Sequence, residues 1–238
     1  MHSWTMAVKA ALAPLANQER AEQMQAYMRD QFVFYGIPSP QRRAALKALF
    51  AQPQLPDLGA LPTVVRELWQ QPQREYQLVA VDLLIKCKKP LSHIFLAEVE
   101  ALITTKSWWD TVDLLASHIV AALSINHPDQ TQDALQRWRR SDNLWLRRTT
   151  LLYQLKFKHL TDERLLFEII RENQADEAFF IQKAIGWALR EYSKTNAHAV
   201  ESFIEQQRIQ GLAQREGLKW LRNNARSAVT EPTRRDTR

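Results

Sequence analysis

Val81-Asp82-Leu83-Leu84 returns, 31 residues on, as Val112-Asp113-Leu114-Leu115. Comparable apolar segments follow around Leu151 and Ala184, at roughly 35-residue steps. Each segment repeats its apolar residues at i, i+3, i+4 and i+7, the period of a helix with one buried face. The chain holds only 5 glycines in 238 residues, and no stretch alternates with period two in Val, Ile and Thr. The whole chain therefore reads as helical.

Punctuation agrees. Ser39-Pro40 offers an N-cap and a proline at the first helical position before RRAALKALF. Ser107 can cap a helix starting at Trp109, with Asp110 completing a short acidic capping box. Ser141, Asp142 or Asn143 can cap the helix through LWLRRTTLLYQLKFK, and Thr161 or Asp162 can start ERLLFEII. Pro90 and His127-Pro128 mark breaks. The spacing matches helix-pair repeats of the HEAT or armadillo kind, in which stacked pairs bury one face and curve into an α-solenoid with a concave surface. The expected fold class is all-α, a HEAT-like helical-repeat superhelix. Residues 1–224 are expected to form one domain, with 225–238 a basic, disordered tail.

Hydrophobic residues make up 45% of the chain, enough for a sizeable core. No apolar run reaches the roughly 18 to 20 residues of a membrane span, and the opening MHSWTMAVKA lacks the pattern of a secretory signal. The single cysteine, Cys87, excludes an internal disulfide and reads as a core residue. A net charge of +6 and a pI near 9.5 favour an anionic partner. The charge is dense in Arg137-Trp138-Arg139-Arg140 and Leu146-Arg147-Arg148.

Three places break the helical economy. In Lys106-Ser107-Trp108-Trp109-Asp110-Thr111-Val112-Asp113, the stripe Trp108, Val112, Leu115 and Ile119 reads as core. Trp109 and Asp113 share another face, roughly 100 to 140° away at about 100° per residue. In the segment from Phe179 to Lys194, Ile181, Ile185, Ala188 and Tyr192 form the apolar stripe. Trp187 lies roughly 120° from it, on a face shared with Lys183, Arg190 and Lys194. Arg148 falls inside the stripe Leu144, Leu151 and Leu155, where a charge must snorkel, grip a phosphate, or pair with an acid such as Asp113. Cationic faces with interleaved aromatics suit a nucleic-acid backbone.

Zinc spacing, a Walker loop, GxGxxG and GxSxG are all missing from the sequence. Chemistry must then run on one carboxylate, aromatics and cations, with no cofactor expected. That inventory suits breakage of an N-glycosidic bond. The oxocarbenium-like sugar wants a negative charge and electron-rich rings near C1′. A purine alkylated at a ring nitrogen is already cationic and leaves without a general acid, while the carboxylate can orient or deprotonate water.

The runs TKSWWDTVDLL, SDNLWLRRTTLLYQLKFK and FFIQKAIGWALREYSKTN, with YMRDQFVFYGIPSPQRR and RELWQQPQREYQ, resemble the AlkD family of bacterial DNA alkylation-repair glycosylases across roughly residues 1–222. The resemblance implies a superhelix whose concave basic face cradles duplex DNA, and excision of 3-methyladenine and 7-methylguanine without base flipping, leaving an abasic site. It implies Asp113 as the catalytic aspartate, Trp109 and Trp187 as rings flanking the deoxyribose, and Arg148 as the cleft arginine that holds phosphate. Tyr27 would line the same cleft, and Arg43, Lys156, Lys158, Arg190 and Lys194 would contact the DNA backbone. A cytoplasmic, nucleoid-associated monomer acting on alkylated double-stranded DNA is expected. The rival is a non-catalytic HEAT-like scaffold that binds nucleic acid or protein, since most helical repeats are interaction surfaces.

Overall fold

The computed structural model describes residues 1–51 and 53–229, with side chains described through residue 224. Among these the chain is helical throughout, and the only β feature is an isolated bridge between Val33 and Gln73. None of these helices is long and apolar enough to cross a membrane. Two compact units are delineated, Met1–Asn126 and a second from His127 onward.

The first unit contains α1 (Ser3–Leu12), α2 (Gln18–Tyr27), α3 (Ser39–Ala45), α4 (Leu61–Gln70), α5 (Arg74–Cys87), α6 (Leu96–Thr104), α7 (Trp109–Leu114) and α8 (Ala121–Asn126). α4 buries Leu61, Val64, Val65 and Leu68, a strict one-face stripe. α5 is different. Its Tyr76, Val79, Ala80, Val81, Leu83 and Leu84 are all fully buried, so it is covered on most sides and forms the centre of the unit. It packs on α4 and α7. Ser39 lies inside α3 rather than capping it, and the N-cap is Pro38.

The two copies of the repeated tetrapeptide are both helical, the first within α5 and the second running from α7 into the segment behind it. Val81 and Val112 are both fully buried, and Asp82 and Asp113 are both largely covered. The two helices then diverge. α5 continues to Cys87, whereas α7 widens after six residues into a π-helix over Leu115–Val120.

The second unit contains α9 (Pro128–Arg139), α10 (Leu144–Leu152), α11 (Glu163–Asn173), α12 (Phe179–Ser193), α13 (Ala197–Gln206), α14 (Gly211–Gly217) and α15 (Lys219–Val229). Of the candidate caps, Asn143 accepts from the Trp145 and Leu146 N–H groups at 2.9 and 3.3 Å, and Asp162 accepts from Leu165 N–H at 2.9 Å. α12 is the central helix here and packs on α10, α13 and α14. Gly186 permits the closest approach. A Cβ there would lie 2.5 Å from Glu216 Cβ and 2.9 Å from the Ala213 carbonyl oxygen. α15 carries helix through 229, past the expected start of the tail at 225, and residues 230–238 lie outside the described residues.

Candidate active site

In the first unit the candidate residues gather at the start of α7. Trp108 is extended and is the N-cap residue, so it leaves the helical phase assumed for it. It is half-buried, while Val112, Leu115 and Ile119 are fully buried as expected. The expected Ser107–Asp110 capping box does not form. Ser107 Oγ donates to the Ile103 carbonyl at 2.6 Å, and a buried arginine takes the Asp110 carboxylate. Lys106 lies outside α7 with φ +48°, and its ammonium donates to the Gln71 carbonyl at 2.6 Å. It therefore does not share the helical face of Trp109. Burial, helped by the nearby Arg74 charge, lowers its pKa.

Trp109 and Asp113 sit one turn apart on α7 as read from spacing. Trp109 is half-buried against the cluster of Ala21, Met28 and Phe34. Its ring meets Tyr27 edge to face, with centroids 6.2 Å apart at 78°. Tyr27 is 71% exposed, so the pair presents an aromatic ledge to solvent on one side. Asp113 is only 8% exposed. The π turn begins two residues after it, and Ser117 Oγ donates to its carbonyl oxygen at 2.8 Å. Wide turns of this type recur at functional sites, because they rephase the side chains of a helix. Arg43 is elsewhere in this unit. It is exposed and lies 3.7 Å from Asp82, which also accepts from buried Arg42 at 3.0 Å.

In the second unit, Arg148 is 4% exposed on α10. Its Nη1 donates to the Phe180 carbonyl, and its guanidinium lies 5.8 Å from the Phe180 ring centroid. Trp145 packs on the same ring at 4.9 Å. The adjacent Arg147 is bound by Asp176, Asn173 and the Ser141 carbonyl.

Trp187 is half-buried on α12. Its three neighbouring cations are not left to solvent. Glu216, on α14, accepts from Lys183 at 3.0 Å and Arg190 at 2.8 Å, and Lys194 bonds Glu191 at 2.6 Å. The Lys183 hydrogen bond first, then the charges of Lys183, Arg190 and Lys219, hold the Glu216 carboxyl below its ordinary value. Lys158 and Lys194 come together at a cavity of about 190 Å³, whose walls include Leu151, Leu155, Leu166 and Tyr192. Lys158 has φ +54°, and it and Lys156 are exposed.

Sequence reasoning missed two residues. Arg74 is fully buried and holds the start of α7; its signal was a charged pair, Arg74-Glu75, at the head of an apolar helix in a segment already noted for its likeness. Glu216 left no signal, because its partners are 26 and 33 residues away on another helix.

Comparisons place this geometry. The model of the "DNA alkylation repair enzyme" family matches residues 8–221, across both units. The chain is similar to a solved structure described as a predicted DNA alkylation repair enzyme from Enterococcus faecalis. Identity is 37% over 87% of this chain and 96% of that one, with a TM-score of 0.80. No match was found among curated proteins. With the family model spanning nearly its whole described length, the chain belongs to the DNA alkylation repair enzyme family.

Proposed function

We propose that this protein is a monofunctional DNA glycosylase that releases cationic alkylpurines, such as 3-methyladenine and 7-methylguanine, from duplex DNA. The observation that carries the reading is the short α7 helix, which sets a largely buried carboxylate, Asp113, one turn from an indole that forms a ledge with exposed Tyr27.

A deoxyribose laid against Trp109 gains an electron-rich face, and Asp113 supplies the negative charge that steadies C1′ as it becomes electron-poor. The bond from C1′ to the purine nitrogen breaks, and its electron pair neutralises the cationic base. Water then adds its oxygen to C1′, with Asp113 orienting it and accepting or relaying its proton. The products are free base and an abasic site. Trp187 is assigned to the second face of the sugar and Arg148 to a backbone phosphate, with Tyr27 lining the cleft. Arg43, Lys156, Lys158, Arg190 and Lys194 are assigned to the rest of the backbone. On this reading residues 1–224 are HEAT-like and the protein is a monomer acting on alkylated double-stranded DNA.

A time course of free 7-methylguanine release from alkylated duplex separates this reading from a binding scaffold. A glycosylase accumulates free base and abasic sites together, and a scaffold yields neither.

A further inference from the structure

α7 has six residues, no side-chain N-cap bond, and a π turn immediately behind it. It is the leading part of an unbroken helical run through Asn126, so its first turn, where the opening amides lack intrahelical acceptors, is the end that needs an outside hold. One residue spans that start and fixes the turn that carries Trp109. Arg74 Nε and Nη2 grip the Asp110 carboxylate at 3.0 and 2.6 Å, Nη1 donates to the Lys106 carbonyl at 2.8 Å, and Nη2 also donates to Thr111 Oγ1 at 2.9 Å. Its guanidinium lies 3.8 Å from the centroid of Phe32, which belongs to the cluster that seats Trp109. The fork is thus fastened on both sides of the turn into α7, and the cluster under Trp109 covers it.

Arg74 is itself fixed. It opens α5, and two neighbours there bind other segments. Glu75, fully buried, accepts from the N–H groups of Tyr35, Gly36 and Ile37 at 3.0 to 3.1 Å. Gln77 donates to the carbonyls of Leu68, Trp69 and Gln71 at the end of α4. The head of α5 is therefore a rigid node that ties α4, the 35–37 loop and α7 together.

We propose that Arg74 is a positioning residue of the excision reaction, holding α7 so that Trp109 and Asp113 meet the sugar in register. This rests on the glycosylase reading of the same helix. A planar five-donor fork is required, because lysine keeps the charge but its three donors share one nitrogen and cannot grip the Asp110 carboxylate bidentately while reaching the Lys106 carbonyl and Thr111. A displacement of about 1 Å at a reacting group lowers rate about a hundredfold.

The test uses the full chain with Arg74→Lys. Single-turnover release of 7-methylguanine is expected to slow about a hundredfold, while duplex Kd stays within about twofold and amide exchange rises over residues 106–113. A wild-type rate, or a rate loss matched by the same loss in binding, overturns the proposal. A companion, Arg74→Met with Asp110→Leu, removes both buried charges. Its thermal midpoint is expected to recover relative to Arg74→Met alone, while excision stays slow; recovery of both midpoint and rate would show Arg74 to be structural only. If wild-type protein releases no base, the glycosylase reading fails. The exchange data still judge the anchor in that case, and unchanged protection over 106–113 in Arg74→Lys sinks it.

Discussion

Glu216→Gln should make the protein bind DNA more tightly. In the native protein this carboxylate engages Lys183 at 3.0 Å and Arg190 at 2.8 Å, the cations flanking Trp187. A phosphate arriving on that face must displace it. The three side chains are 19 to 39% exposed, so each pairing is worth about 0.2–1 kcal/mol rather than the value of a buried bridge. Two such pairings amount to about 0.4–2 kcal/mol, which converts to about a two- to thirtyfold gain in affinity. If both freed cations then meet phosphates, the slope of log K against log salt steepens by up to about 1.8. Fluorescence anisotropy with a labelled duplex across a salt series reads both quantities. The Glu216 carboxyl is held below its ordinary value by the Lys183 hydrogen bond and the neighbouring cations, so the effect should be flat between pH 6 and 8. Unchanged or weaker binding, with the thermal midpoint preserved, would refute the placement of Lys183 and Arg190 on the DNA-facing side.

Gly186→Ala should lower stability by about 1–3 kcal/mol, read as a fall in the urea midpoint, because its Cβ would lie 2.5 Å from Glu216 Cβ and 2.9 Å from backbone; a neutral result means α12 and α14 can part freely. Ser117→Ala should cost about 1 kcal/mol through loss of the bond to the Asp113 carbonyl, and excision should slow with it; an unaffected rate would detach the π turn from the aim of Asp113. Burial, with the Asp162 charge, pushes the Tyr153 hydroxyl up to about 12, and burial with the Glu163 hydrogen bond does the same for Tyr192. The unfolded chain releases these protons near pH 10 while the folded chain keeps them, so stability should fall as pH rises from 10 towards 12. A step in tyrosinate absorbance near pH 10 in folded protein that disappears in Tyr153→Phe or Tyr192→Phe would contradict this.

The helical class was legible because helix period, rare glycine and cap residues all agree, and Asn143 and Asp162 cap where the text of the chain allowed. The Trp109–Asp113 pair was legible because both residues lie within one α-helical turn, where spacing alone fixes direction. Spacing fails where the backbone leaves that period. Trp108 reads as core only in a helix that starts one residue earlier than the real one, and nothing in Leu115–Val120 announces a π turn. Pairing across helices was also hidden. Asp110 looked like a capping acid because its partner Arg74 is 36 residues away, and the cations around Trp187 looked free because Glu216 lies on α14. Local rules assign a side chain to the nearest available job, and tertiary contact reassigns it.

The central claim is that the Asp113 carboxylate stabilises the departing sugar. Single-turnover release of 7-methylguanine from a defined duplex, compared between wild type and Asp113→Asn at equal occupancy, tests it most directly. The account predicts a loss of about a hundredfold or more in rate, with duplex affinity and thermal midpoint little changed. Release by Asp113→Asn at the wild-type rate would contradict it.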